Sequence, residues 1–198
     1  MLDGATGARC LAIEPIPSTF AWLRRNIAIN GLGERVQALN VGLGRGEGRL
    51  RFTGGLDTVN HVLADGEATD QTQDVQVRSL DGVLGGQSPT LIKIDVEGFE
   101  SEVLHGAERT LADPALLAVI MECNGSGRRY GFDENGLHRG LLARGFVTYD
   151  YRPFERLLRP LHGTRAMGGN TLYVRDCERL AERVREAARF RLGTGRAI

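Results

Sequence analysis

The stretch Leu91-Ile92-Lys93-Ile94-Asp95-Val96-Glu97-Gly98-Phe99-Glu100 decides the reading of the fold. Thr90 to Asp95 (TLIKID) is an apolar run of strand length that ends in an acid. From Gly98 the spacing becomes helical, with Val103, Leu104, Ala107 and Leu111 on one face. Glu97, Glu100 and Glu102 crowd the first turn, where the helix dipole favours negative charge. A buried strand rarely contains a lysine. Lys93 stands two residues before Asp95, so both side chains point to the same face of the strand and form a ready ion pair.

The same grammar recurs outward from this stretch. Upstream, Arg9 to Ile13 (RCLAI) is a short apolar strand stopped by Glu14-Pro15. Pro17-Ser18 then opens a helix with Ser18 as its N-cap, Phe20, Leu23 and Ile27 at helical spacing, and a left-handed Asn30-Gly31 close. Val36 to Val41, Arg49 to Thr53 and Val75 to Leu80 read as further strands, and Gly54 to Gln73 as a polar, mobile loop over the site. Downstream, Asp113-Pro114 ends the helix, and Leu116 to Glu122 (LLAVIME) is a strongly apolar strand that again ends in an acid. Asn135 to Arg144 reads as a helix closed by Gly145, and Phe146 to Tyr151 with Thr171 to Arg175 as a closing strand pair. Asp176 to Arg189 is a charged amphipathic helix with Leu180 and Val184 facing inward, and Gly193 to Ile198 a loose tail. Strands alternating with helices predict one α/β domain over residues 1–176, followed by a C-terminal helix and tail over 177–198.

Composition narrows the function classes. Among 198 residues, 25 basic side chains balance 25 acidic ones, and Lys93 is the only lysine. No net field points to nucleic acid or to an anionic membrane. No apolar run approaches the roughly 20 residues that span a bilayer, and no basic region followed by an apolar core suggests a secretory leader. Cys10, Cys123 and Cys177 show neither metal-ligand spacing nor a disulfide framework. They read as inert thiols in a reducing compartment, so a cytoplasmic location and no bound metal are expected.

Three apolar strands end in carboxylates, Glu14, Asp95 and Glu122. In open α/β sheets, ligands bind beyond the carboxyl ends of the strands. Glu14 can accept both hydroxyls of a ribose, or be a solvated acid at a strand end; spacing does not choose between the two. Asn40 can bond an adenine edge, or cap its own turn. Asp95 and Glu97 make a polar pocket beside a helix start, where a carboxylate can face a positive sulfonium or take a proton from an attacking hydroxyl. His61, in the polar loop, is a base, a substrate contact or a solvated side chain. His105, His138 and His162 have no companions in sequence that suggest a site.

These residues carry a resemblance. LAIEPIPSTFAWLRRNIAIN (11–30), VRSLDGVL (77–84), LIKIDVEGFESEVLHGAERTL (91–111), VIMEC (119–123) and GGNTLYVRD (168–176) resemble, in order, the segments of FkbM methyltransferases. The resemblance implies a Rossmann-like class I methyltransferase sheet, mostly parallel with an antiparallel closing strand. It implies S-adenosyl-L-methionine as methyl donor and a small-molecule hydroxyl acceptor, on a sugar or a secondary metabolite. Carried over, Glu14 with Pro15 would hold the ribose, and Asn40 with Val41 would lie near the adenine. Asp95 with Glu97 would face the methyl-transfer centre, while Glu122 would line the acceptor side.

The front of the chain departs from the family pattern, which begins with a strand, a glycine-rich loop and a helix before the Glu-Pro strand. Here Glu14 is eleven residues after Asp3, whereas a parallel crossover needs a dozen or so residues including its helix. Met1 to Ala8 therefore reads as the end of a helix and a turn, and only looks like a glycine fingerprint. The strand in question would lie between the Glu14 and Asp95 strands. Without it, two half-sheets with unpaired edges are expected. An upstream start, a gene remnant and a rearranged fold would each account for this, and the first is the expectation. Two functional alternatives stand beside the methyltransferase: a non-catalytic, partner-binding remnant, and a nicotinamide-dependent oxidoreductase, since an acid after a Rossmann strand also binds that ribose.

Overall fold

A computed structural model describes residues 7–56, 59–166, 169–189, 194, 195 and 197. The order begins with β1 (Cys10–Ile13), α1 (Pro17–Ile29), β2 (Val36–Leu39), β3 (Gly42–Leu43), β4 (Gly48–Thr53), β5 (Thr72–Arg78) and α2 (Leu80–Leu84). It continues with β6 (Leu91–Ile94), α3 (Glu100–His105), α4 (Glu108–Ala112), β7 (Ala118–Glu122), a 3-10 turn (Ser126–Tyr130) and α5 (Glu134–Ala143). It closes with β8 (Val147–Arg152), β9 (Leu157–Pro160), β10 (Asn170–Val174) and α6 (Cys177–Glu186).

The strands form three sheets, where a Rossmann-like sheet divided into two half-sheets is expected. A five-stranded sheet runs β6-β7-β10-β8-β9, a three-stranded one β3-β5-β4, and β1 pairs with β2. The β1–β2, β3–β5 and β6–β7 pairs are parallel. β10 inserts antiparallel between β7 and β8, with Asn170 opposite Glu122 and Val174 opposite Val147. Among the described residues β1 pairs only with β2, and β6 only with β7. The α/β class therefore holds in mixed sheets, and among the described residues β1 and β6 each have one unpaired edge. Burial follows pairing. β7, with a neighbour on both sides, has Ala118, Val119 and Met121 at 0–1% exposure, whereas β1, β2 and α1 contain no fully buried residue. A parallel strand normally needs cover on both faces. Met1 to Thr6, which carry most of the glycine-like segment, lie outside the described residues.

Local details differ from the sequence reading for physical reasons. The helix expected from Gly98 to the Asp113-Pro114 stop is divided into α3 and α4 at Gly106, which packs against the backbone: a Cβ there would overlap the Gly44 carbonyl. All four predicted inward residues are nonetheless buried in the main core, with Ile94, Leu116, Met121 and Tyr173. Ser18 is not the N-cap of α1. Ile16 takes that place and Pro17 is the first helical residue, where its missing N–H costs nothing. The segment between β4 and β5 is fastened rather than loose: Phe52 bridges Val62, and His61 and Val62 are buried. Leu180 and Val184 of α6 are only half-buried, as part of a helix with no fully buried residue. The tail from Gly193 lies largely outside the described residues.

Candidate active site

The site is built by loops that leave the carboxyl ends of β1, β6 and β7, and a second apolar cluster gathers all three. Ile16, two residues past Glu14, is buried with Phe52, Val62, Val75 and Val77, and Phe99 and Tyr130 pack on the same cluster. Phe99 immediately follows the Asp95–Gly98 turn, and Tyr130 ends the 3-10 turn after β7. Their rings meet edge to face, with centroids 5.3 Å apart. Tyr130 Oη donates to the Val62 carbonyl at 2.6 Å, tying in the β4–β5 segment. Burial pushes the Tyr130 hydroxyl up to about 12.

At the end of β1, Glu14 is half-buried, and its Oε1 accepts the Ile16 N–H at 2.8 Å. Burial raises its pKa, against the lowering effect of that amide. Asn40 follows β2 and spends its amide nitrogen on the backbone, donating to the Glu14 carbonyl at 2.8 Å and the Pro15 carbonyl at 2.9 Å. It fastens the Glu-Pro corner to β2, which leaves its carbonyl oxygen for anything else. Pro15 and Val41 are half-buried beside it.

At the end of β6, Lys93 Nζ lies 2.5 Å from Asp95 Oδ2. Both side chains are exposed, because β6 has an open edge; the lysine is not in a buried strand after all. The chain then turns through Glu97 at φ +53° and Gly98 at φ +101°. A left-handed conformation at a non-glycine residue costs about 1–3 kcal/mol and is held only where the surroundings require it. Gly98 presses on the loop after β7, so Asp95, Glu97 and that loop are one unit. Glu122 ends β7, half-buried opposite Asn170.

His61 is placed differently from the expectation of a substrate contact. Its Nδ1 lies 3.0 Å from the Val59 carbonyl and its Nε2 2.8 Å from Glu67 Oε1. Both ring nitrogens are thus committed to acceptors within the segment, and the ring works as a fastener. Cys123, next to Glu122, has its thiol pushed up by burial, consistent with an inert side chain. Sequence reasoning missed three contributors. Glu100 and Glu134 bind loop amides, and Tyr130 binds the Val62 carbonyl. Only the position of Glu100 beside the turn hinted at any of this. Among the described residues no three His, Cys, Asp or Glu side chains are grouped to hold a metal. No helix of the described residues is long and apolar enough to cross a membrane.

Comparison with known proteins gives the family. The model of the methyltransferase FkbM domain matches residues 2–151, so the chain belongs to the FkbM methyltransferase domain family. A curated relative, Methyltransferase 1 of Beauveria bassiana (strain ARSEF 2860), is 31% identical over 59% of this chain and 56% of its own length. A solved structure, the methyltransferase FkbM from Methylobacillus flagellatus KT, shares the fold at a TM-score of 0.52 with 18% identity. That match covers 84% of this chain and 36% of the other. The chain thus spans about half the length of the curated relative and about a third of the solved one.

Proposed function

We propose that this chain is the core of an S-adenosyl-L-methionine-dependent O-methyltransferase whose acceptor is a hydroxyl on a small molecule, a sugar or a secondary metabolite. The observation that supports it most is the joining of the β1 and β6 strand ends, Glu14-Pro15-Ile16 and Asp95 to Phe99, through one apolar cluster. Family membership supplies the reaction class.

The donor set fits such a cofactor. Glu14 is a half-buried carboxylate whose Oε1 is held by one amide, and its Oε2 can accept ribose hydroxyls. Charge-assisted bonds of that kind contribute on the order of 1.5–3 kcal/mol each. Asn40 sets the corner on which Glu14 and Pro15 stand and keeps a carbonyl oxygen for the adenine side, next to Val41. Asp95 has one oxygen on Lys93 and one left to face a cation. S-adenosyl-L-methionine supplies an electrophilic methyl group when bound. The chain's own part is to orient the acceptor hydroxyl and to take its proton at Asp95 or Glu97, worth about 10²–10⁴-fold in rate. Alignment of the two reactants contributes beyond that. Glu122, on the next strand end, serves the acceptor side, and His61 serves it indirectly by holding the 54–71 segment.

Transfer of a labelled methyl group from S-adenosyl-L-methionine to a panel of small hydroxylated acceptors tests this reading. Transfer by the wild type that falls at least a hundredfold in Asp95→Asn, with an unchanged unfolding transition, supports it; equal transfer by both removes Asp95 from the mechanism. A second reading, a partner-binding module without catalysis, is favoured by the open edges of β1 and β6. It is distinguished by an absence of transfer to any acceptor together with stable capture of a partner polypeptide.

A further inference from the structure

Two carboxylates that sequence and family resemblance leave without a role stand behind the site. Glu100 is buried, at 5% exposure. Its side chain folds back over the preceding turn, where Oε1 accepts the Gly98 N–H at 3.1 Å and the Val96 N–H at 3.4 Å. Glu134, the first residue of α5, treats the neighbouring loop in the same way. Its Oε1 accepts the Gly127 N–H at 3.1 Å and its Oε2 the Gly125 N–H at 3.2 Å, with Arg165 Nη1 3.4 Å from Oε2. The two loops meet where Gly98 lies against Ser126 and Gly127.

Val96 and Gly98 lie between β6 and α3, and Gly125 and Gly127 stand at the start of the 3-10 turn, ahead of its first backbone bond from Arg128 N–H to the Gly125 carbonyl, so these amides need other acceptors. The β6 loop also holds two successive left-handed residues, Glu97 and Gly98. Such a turn persists only if something stronger than its strain holds it. Burial raises the pKa of Glu100, and the nearby charge of Glu134 adds to this; the amides of Glu100, Gly98 and Val96 pull it back down. A carboxylate kept in so unfavourable a place by amide bonds is doing local work on that turn.

We propose that Glu100 and Glu134 are positioning residues, which through the amides of 96–98 and 125–127 fix the turn that bears Asp95 and Glu97 against the loop that follows Glu122. Their effect on the loops is independent of the reaction; its consequence for catalysis rests on the methyltransferase reading. Acceptance of the amide protons is the property that matters. Glu100 accepts through one oxygen, so glutamine should replace it and alanine should not; Glu134 accepts through both, so glutamine should replace it only in part.

Amide hydrogen exchange by NMR on the full chain tests this. In Glu100→Ala, exchange at Val96 and Gly98 rises about tenfold, as expected for the loss of one hydrogen bond to a charged acceptor. Core amides such as Val119 and Tyr173 keep their wild-type protection, and Glu100→Gln restores protection at Val96 and Gly98. Unchanged exchange in Glu100→Ala overturns the proposal. So does a uniform rise that includes the core, which marks a merely structural role, or a glutamine variant as open as the alanine one. If Glu100→Ala does not fold, Glu134→Ala read at Gly125 and Gly127 decides by the same criteria, with Glu134→Gln expected to restore protection at one of the two amides only. Methyl transfer by the same variants separates the two ideas. A wild type without transfer defeats the functional reading, while the exchange data still decide the positioning.

Discussion

Gly98 stands against the backbone of Ser126. A Cβ placed on Gly98 would lie 2.6 Å from the Ser126 carbonyl carbon and oxygen and 2.8 Å from Gly127 N, and Gly98 already sits at φ +101°. The loops after β6 and β7 therefore cannot move independently. Gly98→Ala should destabilise the protein by about 1–3 kcal/mol, from backbone strain and overpacking together. Urea denaturation reads the change, and an unfolding midpoint equal to the wild type would show that the two loops do not meet as described.

Asp81 caps α4 from a distance in sequence. Its oxygens accept the Arg109 N–H at 2.8 Å, the Thr110 N–H at 2.9 Å and the Thr110 hydroxyl. Burial works to raise its pKa, but the Thr110 hydroxyl and the Arg109 and Thr110 amides outweigh it, so the group sits below its ordinary value. A depressed carboxyl stabilises the fold at pH above its unfolded value and loses that contribution as pH falls through the folded one. Asp81→Asn should therefore remove part of the acid sensitivity of unfolding below about pH 4, and Asp81→Ala should cost about 0.5–2 kcal/mol at neutral pH. Thermal unfolding followed against pH measures both.

The His61–Glu67 pair fastens the segment between β4 and β5. Glu67 is held below the usual carboxylate range first by the Ala64 amide and then by His61, so this clasp weakens as pH falls into the acid range. Glu67→Ala should open the segment to limited proteolysis at neutral pH while leaving the five-stranded sheet intact; a cleavage pattern identical to the wild type would refute the clasp.

Tyr130 links the 3-10 turn to the β4–β5 segment through a hydrogen bond from its hydroxyl to the Val62 carbonyl. Tyr130→Phe keeps the ring against Phe99 and removes only that bond. A loss of about 0.5–1.5 kcal/mol is expected, with faster exchange confined to residues 59–66. No change in either quantity would mean that the aromatic packing alone holds the segment.

Local chemistry made the strand-end acids legible. An apolar run that stops at Glu14, Asp95 or Glu122 announces a strand whose carboxyl end faces a ligand side, and the structure puts each acid at or just beyond a strand terminus. The Lys93–Asp95 pair followed from strand periodicity alone. What could not be read were effects made by distant partners. Gly106, where α3 and α4 divide, packs against the Gly44 carbonyl, the α4 cap comes from Asp81, and His61 is claimed by Glu67. The insertion of β10 between β7 and β8 depends on long-range register, which side-chain alternation does not specify. Glu100 was counted as one more acid near a helix dipole, because nothing in the spacing shows that its side chain turns back over Gly98.

The proposed cofactor binding at the end of β1 rests on Glu14. Isothermal titration calorimetry of the wild type and Glu14→Gln with S-adenosylhomocysteine, and of the wild type with a nicotinamide dinucleotide, tests it directly. Saturable binding of S-adenosylhomocysteine that weakens about tenfold or more in Glu14→Gln is expected, with no heat from the dinucleotide. Tight dinucleotide binding with no response to S-adenosylhomocysteine would contradict it.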